Sequence, residues 1–407
     1  MAPKGRYPVV LTLAALLATP INAAFSQAGE LEIGGSAAVE LRVFPANRSF
    51  DGQERSTLSP SLVLEPEFIY PLNDDDTVTF TPFARFDTHD ERRSHFDIRE
   101  LNWVHLDNSW DMTVGFGKVF WGVTESRHLV DIINQTDAIE GIDGEDKLGQ
   151  PLLNVNAISD WGTFGIFVLP GFRERTFADD EARLRGPKPV QADDATYDSS
   201  DEDKHIDLAL RWSHSIGDVD IGVSHFHGTS REPVMKSVTR ADGVSVFQPH
   251  YDIIDQSGLD AQFTSGSWLW KLEAMARAGQ GERFAASVAG VEYTFYQIAE
   301  SAADIGVLAE YLYDGRDNRA PVTLGDNDIF IGARLALNDE QDTTALVGAI
   351  VDHENQETII SFEAERRLSD HWKGEVEVRW SAHVPDDGFF SGARNDDYLM
   401  VRLARFF

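Results

Sequence analysis

The chain has 407 residues, with 35 Lys and Arg against 68 Asp and Glu, which gives a formal net charge of −33. A chain this acidic lacks the basic surface that nucleic-acid binding requires. It contains no Cys, which excludes disulfides, thiolate chemistry and anchoring through a lipid-modified Cys.

The N-terminus has the charged, apolar and small-residue order of a secretory signal. Lys4 and Arg6 precede an apolar stretch over residues 8–21, and small residues with cleavage candidates Ala23, Ala24 and Ala28 follow. The apolar stretch is shorter than the roughly 20 residues that a transmembrane helix needs. A retained anchor is the alternative. The sequence predicts a signal peptide over 1–24, with cleavage as late as residue 28, and a single domain over 29–407.

No long apolar run appears after residue 28, and charged residues are spread along the whole chain. Transmembrane helices are therefore not expected. If the chain enters a membrane, a closed barrel is the remaining fold that satisfies every backbone hydrogen bond in lipid.

Segments of about ten residues with alternating polar and apolar positions recur along the chain, which is typical of strands of a transmembrane barrel. Leu208 and Leu210 share one face of such a segment, and Asp207 and Arg211 share the other. The clearest segments are 205–215, 268–278, 329–337 and 372–380.

The breaks between these segments alternate in length. Short breaks such as 107–109 and 216–218 contain the Asn, Asp, Ser and Gly of tight turns. Longer and more charged breaks lie at 45–60, 122–152, 173–204, 230–248, 315–326 and 382–395. Outer-membrane barrels have short periplasmic turns and long external loops. The pattern predicts an all-β fold, a transmembrane antiparallel up-and-down β-barrel of about 18 strands.

The long break at 122–152 is too apolar to extend freely into water. It contains Leu129, Val130 and Ile133, and Thr124 or Ser126 is predicted to cap a short helix that ends at Ile133. We interpret this segment as an outer loop folded into the barrel lumen, where it narrows the passage. The alternative is an external cap packed on other loops.

Charges on this loop and on the inward faces of the strands are the candidate functional residues. The candidates for a constriction are Glu125, Arg127, Asp131 and Asp137. The candidates for lining the lumen are Arg211, Lys271, Glu273, Arg277, Glu310, Arg334, Glu375, Glu377 and Arg379. Opposite charges on neighbouring strands predict ion pairs that stabilise the wall, whereas uncompensated rings would set ion selectivity. Acids slightly exceed bases among the inward-facing residues, so we expect a weak cation preference.

Two passages carry a resemblance to a known family. The first reads Gly117-Lys118-Val119-Phe120-Trp121-Gly122 and is followed by Asp-Ile-Ile-Asn-Gln-Thr-Asp over 131–137. It resembles the strand-then-loop passage of uncharacterised porin-like outer-membrane barrels of Gram-negative bacteria, which are similar in plan to alginate-export and anion-selective porins. This resemblance covers a small part of the chain in detail and the rest in architecture.

The second passage is the C-terminal segment 398–407, in which Leu399, Val401 and Leu403 alternate before a terminal Phe407. It resembles the closing strand of bacterial outer-membrane barrels, although Arg405 stands where that family has an apolar residue. The resemblance implies that Phe407 belongs to the signal read by the barrel-assembly machinery. It also implies the bacterial outer membrane as the location, with lipid, lipopolysaccharide and small solutes or ions as partners.

The sequence gives no strong signal for catalysis, a cofactor or a metal. Ser94, His89 and His95 are the residue types of a hydrolase, but nearness in sequence does not establish a catalytic geometry. His225 and His227 share a strand face without an evident third metal ligand. We therefore expect no catalytic residues, no cofactor and no metal.

Three functions remain open on the sequence alone. The leading hypothesis is a porin-like channel for passive or weakly selective diffusion of small solutes or ions. The alternatives are an outer-membrane hydrolase at the barrel rim and a non-conducting structural or surface-binding barrel. The first alternative requires Ser94, His89, His95 and an acid to converge near the rim, and the second requires a filled lumen.

Overall fold

The computed structural model describes residues 29–323, 325–386 and 391–407. The predicted signal peptide lies outside the described residues. Within these ranges, no helix is both long enough and apolar enough to cross a membrane.

Strands account for most of the regular structure, and they are numbered here in chain order. They are β1 (Glu32–Val43), β2 (Leu58–Pro71), β3 (Asp76–Asp87), β4 (His95–Leu106), β5 (Trp110–Gly117), β6 (Gln150–Ser159), β7 (Gly162–Pro170), β8 (Thr196–Tyr197), β9 (Ile206–Ile216), β10 (Val219–Thr229), β11 (Val234–Thr239), β12 (Ser245–Tyr251), β13 (Ile253–Ser265), β14 (Trp268–Ala278), β15 (Phe284–Phe295), β16 (Asp304–Asp314), β17 (Asn327–Ala336), β18 (Thr344–Asp352), β19 (Thr358–Ser369), β20 (Trp372–His383) and β21 (Tyr398–Phe406).

Eighteen of these strands form one closed sheet. Each pairs antiparallel with the preceding and following barrel strand, including β7 with β9 and β10 with β13. The last strand closes on the first, with Ser36 opposite Phe406. Closure leaves no free sheet edge, which is the condition for a sheet to span lipid. The predicted all-β, up-and-down transmembrane-type barrel of 18 strands is confirmed.

Alternation along each strand separates the two faces of the barrel. On β9, Leu208 and Leu210 are exposed on the outside, while Asp207 and Ala209 are buried inside. Exposed aromatic side chains such as Trp161, Trp268 and Phe295 lie where strands meet the short turns. An apolar outer belt with aromatic side chains at its border fits contact with lipid and with a membrane–water interface.

Turn length divides the barrel into two ends. Connections such as 107–109, 217–218 and 266–267 form the short-turn rim. The first strand, β1, begins at this rim, and the last strand, β21, ends there. The long-loop rim carries the connections 44–57, 118–149, 171–205, 230–252, 315–326 and 384–397. This alternation agrees with the breaks predicted from the sequence.

The long loops contain a small sheet that the sequence pattern did not predict. β11 and β12 form an antiparallel hairpin, and β12 pairs in parallel with the two-residue β8. These strands are short, so their alternation is too brief to stand out from loop composition. The small sheet joins loop 171–205 to loop 230–252.

The connection between β5 and β6, residues 118–149, folds into the lumen and is called the inward loop. Its Trp121, Val130 and Ile133 pack with Phe167 and Phe226, which project inward from the barrel wall. Leu129 packs with a second inward cluster that includes Met275, Leu308 and Phe330. The predicted inward position of this loop is confirmed.

The short helix predicted to end at Ile133 is wrong, because the inward loop is irregular throughout. In the predicted helix, the Val130 N–H would donate to the Ser126 carbonyl oxygen. Here the Val130 N–H instead donates to Glu273 on the wall at 3.2 Å. A wall carboxylate therefore replaces a hydrogen bond of the predicted helix.

Candidate functional site

Buried carboxylates on β14 and β16 hold one side of the inward loop. Glu273 is completely buried, and its carboxylate accepts the N–H groups of Val123 at 2.7 Å and Val130 at 3.2 Å. Glu310 accepts the N–H groups of Glu125 and Ser126, both at 2.8 Å. Charged acceptors of several backbone N–H groups form strong hydrogen bonds in an enclosed site. These two glutamates therefore fix the loop to the wall.

Other inward-facing charges on this side are paired with each other or with a neighbouring outer loop. Asp260 binds both terminal nitrogens of Arg211, at 2.8 and 2.9 Å. Arg277 donates to Gln256 at 2.8 Å and to Glu232 at 2.5 Å. The name loop-packed wall is used for the inward residues that the inward loop and its neighbouring loops cover. These are Gln256, Asp260, Glu273, Arg277 and Glu310.

The far side of the inward loop is held by four arginines that are not among the candidate residues named from the sequence. Arg85 donates to the carboxylate of Glu140 at 2.8 Å, and Arg99 lies 2.7 Å from Asp137. Arg42 donates to the Glu140 carbonyl oxygen, and Arg93 to the Ile139 carbonyl oxygen. This arginine cluster consists of Arg42, Arg85, Arg93 and Arg99. Because the loop is bound at both sides, it crosses the lumen.

A sequence signal for the arginine cluster does exist. Asp97 and Arg99 alternate with Phe96 and Ile98 on β4, so both polar residues share the inward face. Proximity of β1, β3 and β4 follows from strand pairing and is not visible in any one segment.

The opposite part of the lumen remains accessible to solvent. The side chains of Glu363 and Glu365 on β19 are 51% and 45% exposed. The name open wall is used for the partly exposed inward charges of β17 and β19 to β21. These are Arg334, Glu363, Glu365, Lys373, Glu375 and Arg402.

Ion pairs on the open wall extend to the inward loop. Lys373 lies 2.6 Å from Glu365 and 3.1 Å from Glu375. Arg379 lies 2.6 Å from both Glu363 and Asp143, and the second of these belongs to the loop. Such partly hydrated pairs contribute little to stability.

Two loop residues have shifted pKa values that matter for charge in the lumen. Burial lowers the pKa of His128, but the carboxylates of Glu145 and Glu273 outweigh this effect and raise it to about 10. Desolvation within the lumen, and then the nearby carboxylates of Glu140 and Asp143, raise the pKa of Asp146 to about 7. His128 is therefore a cation at neutral pH, and Asp146 is a carboxyl group whose charge changes there.

The four constriction candidates occupy different environments. Glu125 is partly exposed and lies 2.5 Å from Arg334, whereas Arg127 lies 3.2 Å from Asp314 beneath the outer loops. Asp131 is enclosed and lies 3.1 Å from Lys147. Asp137 is completely buried against Arg99. Of the four, Glu125 has the position of a residue that borders the solvent-accessible lumen.

The lumen-lining candidates are likewise divided. Arg211, Glu273, Arg277 and Glu310 belong to pairs or anchors covered by the loop. Lys271 lies between Glu125 and Glu292, at 3.8 and 3.7 Å. Glu377 accepts the hydroxyl of Tyr398 and lies 3.3 Å from Arg379. The remaining candidates, Arg334, Glu375 and Arg379, contribute to the open wall or its ion pairs.

The hydrolase candidates are not assembled as a catalytic triad. The hydroxyl of Ser94 donates to the Asp87 carbonyl oxygen and accepts its N–H group. The ring of His95 faces Asp137 and Glu140 at 3.8 and 3.9 Å, and His89 lies 3.4 Å from Glu54. A nucleophile needs its base within hydrogen-bond reach, and the serine hydroxyl is instead bound to backbone.

The group formed by His95, Asp137 and Glu140 has the residue types of a metal site. However, Arg99 already pairs with Asp137, and Arg85 with Glu140. A cation would have to compete with two guanidinium groups for the same carboxylates. We assign this group to the anchoring of the inward loop.

The predicted assembly residue Phe407 follows β21 at the short-turn rim. Its backbone N–H donates to the Gly35 carbonyl oxygen at 3.2 Å, next to the seam where β21 closes on β1. A role in assembly stays a prediction.

Comparison with known proteins adds similarities at the level of architecture. No family model matches the chain, and no curated protein matches it. A triple mutant of the Rh. blastica porin has 12% identity and a TM-score of 0.43, over 93% of this chain and 100% of that chain. The trimer form of in-vitro folded OmpT, an outer membrane protein of Vibrio cholerae, has 11% identity and a TM-score of 0.43, over 94% and 100%. The fold assignment rests on the strand pairing of this chain itself.

Proposed function

We propose that this protein is a channel of the bacterial outer membrane for passive, weakly cation-selective diffusion of small ions or solutes. The observation that carries the proposal is the exposure of Glu363 and Glu365 inside a barrel whose other side is filled by a loop. Solvent-accessible charges on an inner wall are what an aqueous path requires.

The path would run between the open wall and the inward loop. Loop residues Glu125 and Asp143 face it through their pairs with Arg334 and Arg379. The carboxylates along this path slightly outnumber the basic groups, which supports a preference for cations over anions. Residues 123–130 and 137–140 of the inward loop are bound to opposite walls, so the cross-section of the path would be stable.

Planar-bilayer recordings test this proposal. The folded wild-type protein should give discrete conductance steps and a reversal potential that favours cations under a salt gradient. The double variant Glu363→Gln with Glu365→Gln should conduct, with the reversal potential moved towards zero. Glu282→Gln is the matched control, because Glu282 is 81% exposed in a turn at the long-loop rim. Absence of conductance from the folded barrel would instead favour the non-conducting alternative.

Location and assembly are part of the same proposal. The exposed apolar belt supports contact with lipid and lipopolysaccharide, and recognition of Phe407 by the assembly machinery is proposed from the resemblance of the closing strand. Fractionation should recover the mature chain in the outer membrane, and deletion of Phe407 should reduce the amount of heat-modifiable barrel. A chain that is recovered in the periplasm would contradict this location.

A hydrolase at the rim is the weaker candidate. The hydroxyl of Ser94 is bound to the backbone of Asp87, and His95 is directed to the inward loop. Neither arrangement supports activation of the serine. No observation among the described residues favours this function over a channel.

A further inference from the structure

Two aspartates and one histidine lie close together beside the small sheet at the long-loop rim. Parallel pairing of β12 with β8 sets His250 opposite Thr196. The N–H of Asp198 then donates to the Tyr251 carbonyl oxygen at 3.0 Å, which brings Asp198 next to β12. Asp252 directly follows β12, and its carbonyl oxygen accepts the Ser230 N–H at 2.9 Å. Backbone pairing therefore fixes the relative positions of Asp198, His250 and Asp252.

The spacing of their side-chain atoms is that of ligands around a tetrahedral ion. His250 Nε2 lies 3.3 Å from Asp198 Oδ1 and 3.3 Å from Asp252 Oδ1. All three ligand atoms lie within 4.8 Å of one another. Zinc bonds of about 2.0–2.1 Å in a tetrahedron separate neighbouring ligand atoms by about 3.3–3.4 Å. A direct charged hydrogen bond would be shorter, at about 2.7–2.9 Å.

The hydrogen bonds around His250 prepare its Nε2 atom to bind a metal. The Thr196 hydroxyl lies 3.4 Å from the Pro249 carbonyl oxygen, to which it donates, and 2.9 Å from His250 Nδ1. In the tautomer whose Nδ1–H donates to this hydroxyl oxygen, Nε2 carries the lone pair and is directed at two carboxylates. A partner on the other ring nitrogen is the usual arrangement of a metal-binding histidine.

Asp252 is oriented in a comparable way. Gln280 donates to its Oδ2 atom at 3.0 Å, which leaves Oδ1 facing His250. Asp198 is half exposed, so an ion can enter from solvent.

We propose that Asp198, His250 and Asp252 form a binding site for Zn²⁺ or a similar first-row divalent ion, with water as the fourth ligand. One imidazole and two carboxylates suit zinc, whereas Ca²⁺ and Mg²⁺ prefer oxygen ligands alone. The bound ion joins loop 171–205 to the segment between β12 and β13, and it stabilises the outer loops independently of conduction through the barrel.

Zinc titration of the folded wild-type protein in detergent, with a chromophoric chelator as competitor, tests this site. We expect one Zn²⁺ per chain, no competition from Ca²⁺ or Mg²⁺, and protection of loop 171–205 from protease when Zn²⁺ is added. His250→Gln should abolish stoichiometric binding, and Asp198→Asn should weaken it at least tenfold. Thr196→Val should weaken it roughly tenfold through loss of the support to His250.

His227→Gln is the matched control, because His227 has a single carboxylate partner, Asp255, at 2.9 Å. This variant should bind zinc as the wild type does. The proposal is overturned if the wild type binds no stoichiometric zinc, or if His250→Gln binds it with unchanged affinity. In the first case, His250 would serve as a protonated partner of the two carboxylates.

Discussion

Glu273 and Glu363 are both inward-facing glutamates of barrel strands, yet one is completely buried and the other is 51% exposed. The strand pattern around them is the same, with polar residues inside and apolar residues outside. The inward loop makes the difference, because it covers β14 and leaves β19 accessible. The position of a residue on its strand therefore determines only that its side chain points into the lumen. The inward loop determines whether that side chain is buried and holds the loop, or is exposed and available to passing ions.

The largest expected effect concerns the loop-packed wall. Glu273→Ala removes the acceptor of several backbone N–H groups and leaves them unsatisfied in an enclosed site. We expect a loss of at least about 3 kcal/mol in the free energy of unfolding, together with higher and noisier conductance as the loop detaches. Urea unfolding of the refolded barrel and single-channel recordings measure these effects.

Glu363→Ala on the open wall is the control for this substitution. Its carboxylate is half exposed, so we expect a stability change below about 1 kcal/mol with a shift in ion selectivity. Equal destabilisation by the two variants would mean that the inward loop does not distinguish the walls.

A smaller loss of stability is expected at Gly122, where the inward loop turns against β14. Gly122 has a φ of +148°, and an added Cβ would lie 2.9 Å from both Glu273 Oε1 and His128 Nδ1. Gly122→Ala should cost about 1–3 kcal/mol through backbone strain and displacement of these two groups. Gly144→Ala is the control, since it has a positive φ without any atom within 4 Å of the added Cβ. If both variants lose the same stability, backbone strain alone explains the effect.

The third comparison separates two aspartates of the inward loop. Asp143 is 34% exposed beside Arg379, whereas Asp137 is buried against Arg99. Asp143→Asn should move the reversal potential towards that of a less cation-selective pore and leave stability within about 0.5 kcal/mol. Asp137→Asn should destabilise the barrel by about 1–3 kcal/mol with little change in selectivity.

The hypothesis that Asp131 and Asp137 form a constriction, which came from the sequence, makes a different prediction for the same loop. Under that hypothesis, neutralising these two aspartates lowers the cation preference directly. Reversal potentials of the single variants decide between the two accounts, and a shift produced by Asp137→Asn at unchanged stability would support the constriction role.

The smallest expected effect is a pH dependence of selectivity near neutrality. The pKa of Asp146 is raised to about 7, so its carboxyl is largely protonated and neutral at pH 6 and charged at pH 8. Cation preference should therefore increase modestly as the pH rises through 7. Reversal potentials recorded at both pH values measure this change in cation preference, and Asp146→Asn should remove it. A change of the same size in the variant would assign the titration to another group.

The fold was predictable because its signals are local. Alternation such as that of Leu208 and Leu210 against Asp207 and Arg211 requires no knowledge of distant residues. Turn residues at 107–109 and 217–218 similarly define chain reversals, and in a barrel each strand pairs with its barrel neighbours in chain order. The number of strands, the two rims and the closure followed from repeated short-range patterns.

Contacts between residues far apart in the sequence could not be predicted from these short-range patterns. The predicted helix in the inward loop was wrong because the acceptor that takes the Val130 N–H, Glu273, lies on a strand far along the chain. The arginine cluster and the group of Asp198, His250 and Asp252 also assemble from separate loops and strands.

The sequence by itself thus determined which side chains point into the barrel and which point outwards, because the two-residue period of a strand is a local property of the backbone. Only the tertiary structure decided which inward charges are covered. That outcome depends on where the inward loop finds acceptors for its N–H groups and partners for its carboxylates. Buried polar groups must be satisfied by whatever the folded wall offers, and the wall exists only after the strands have paired.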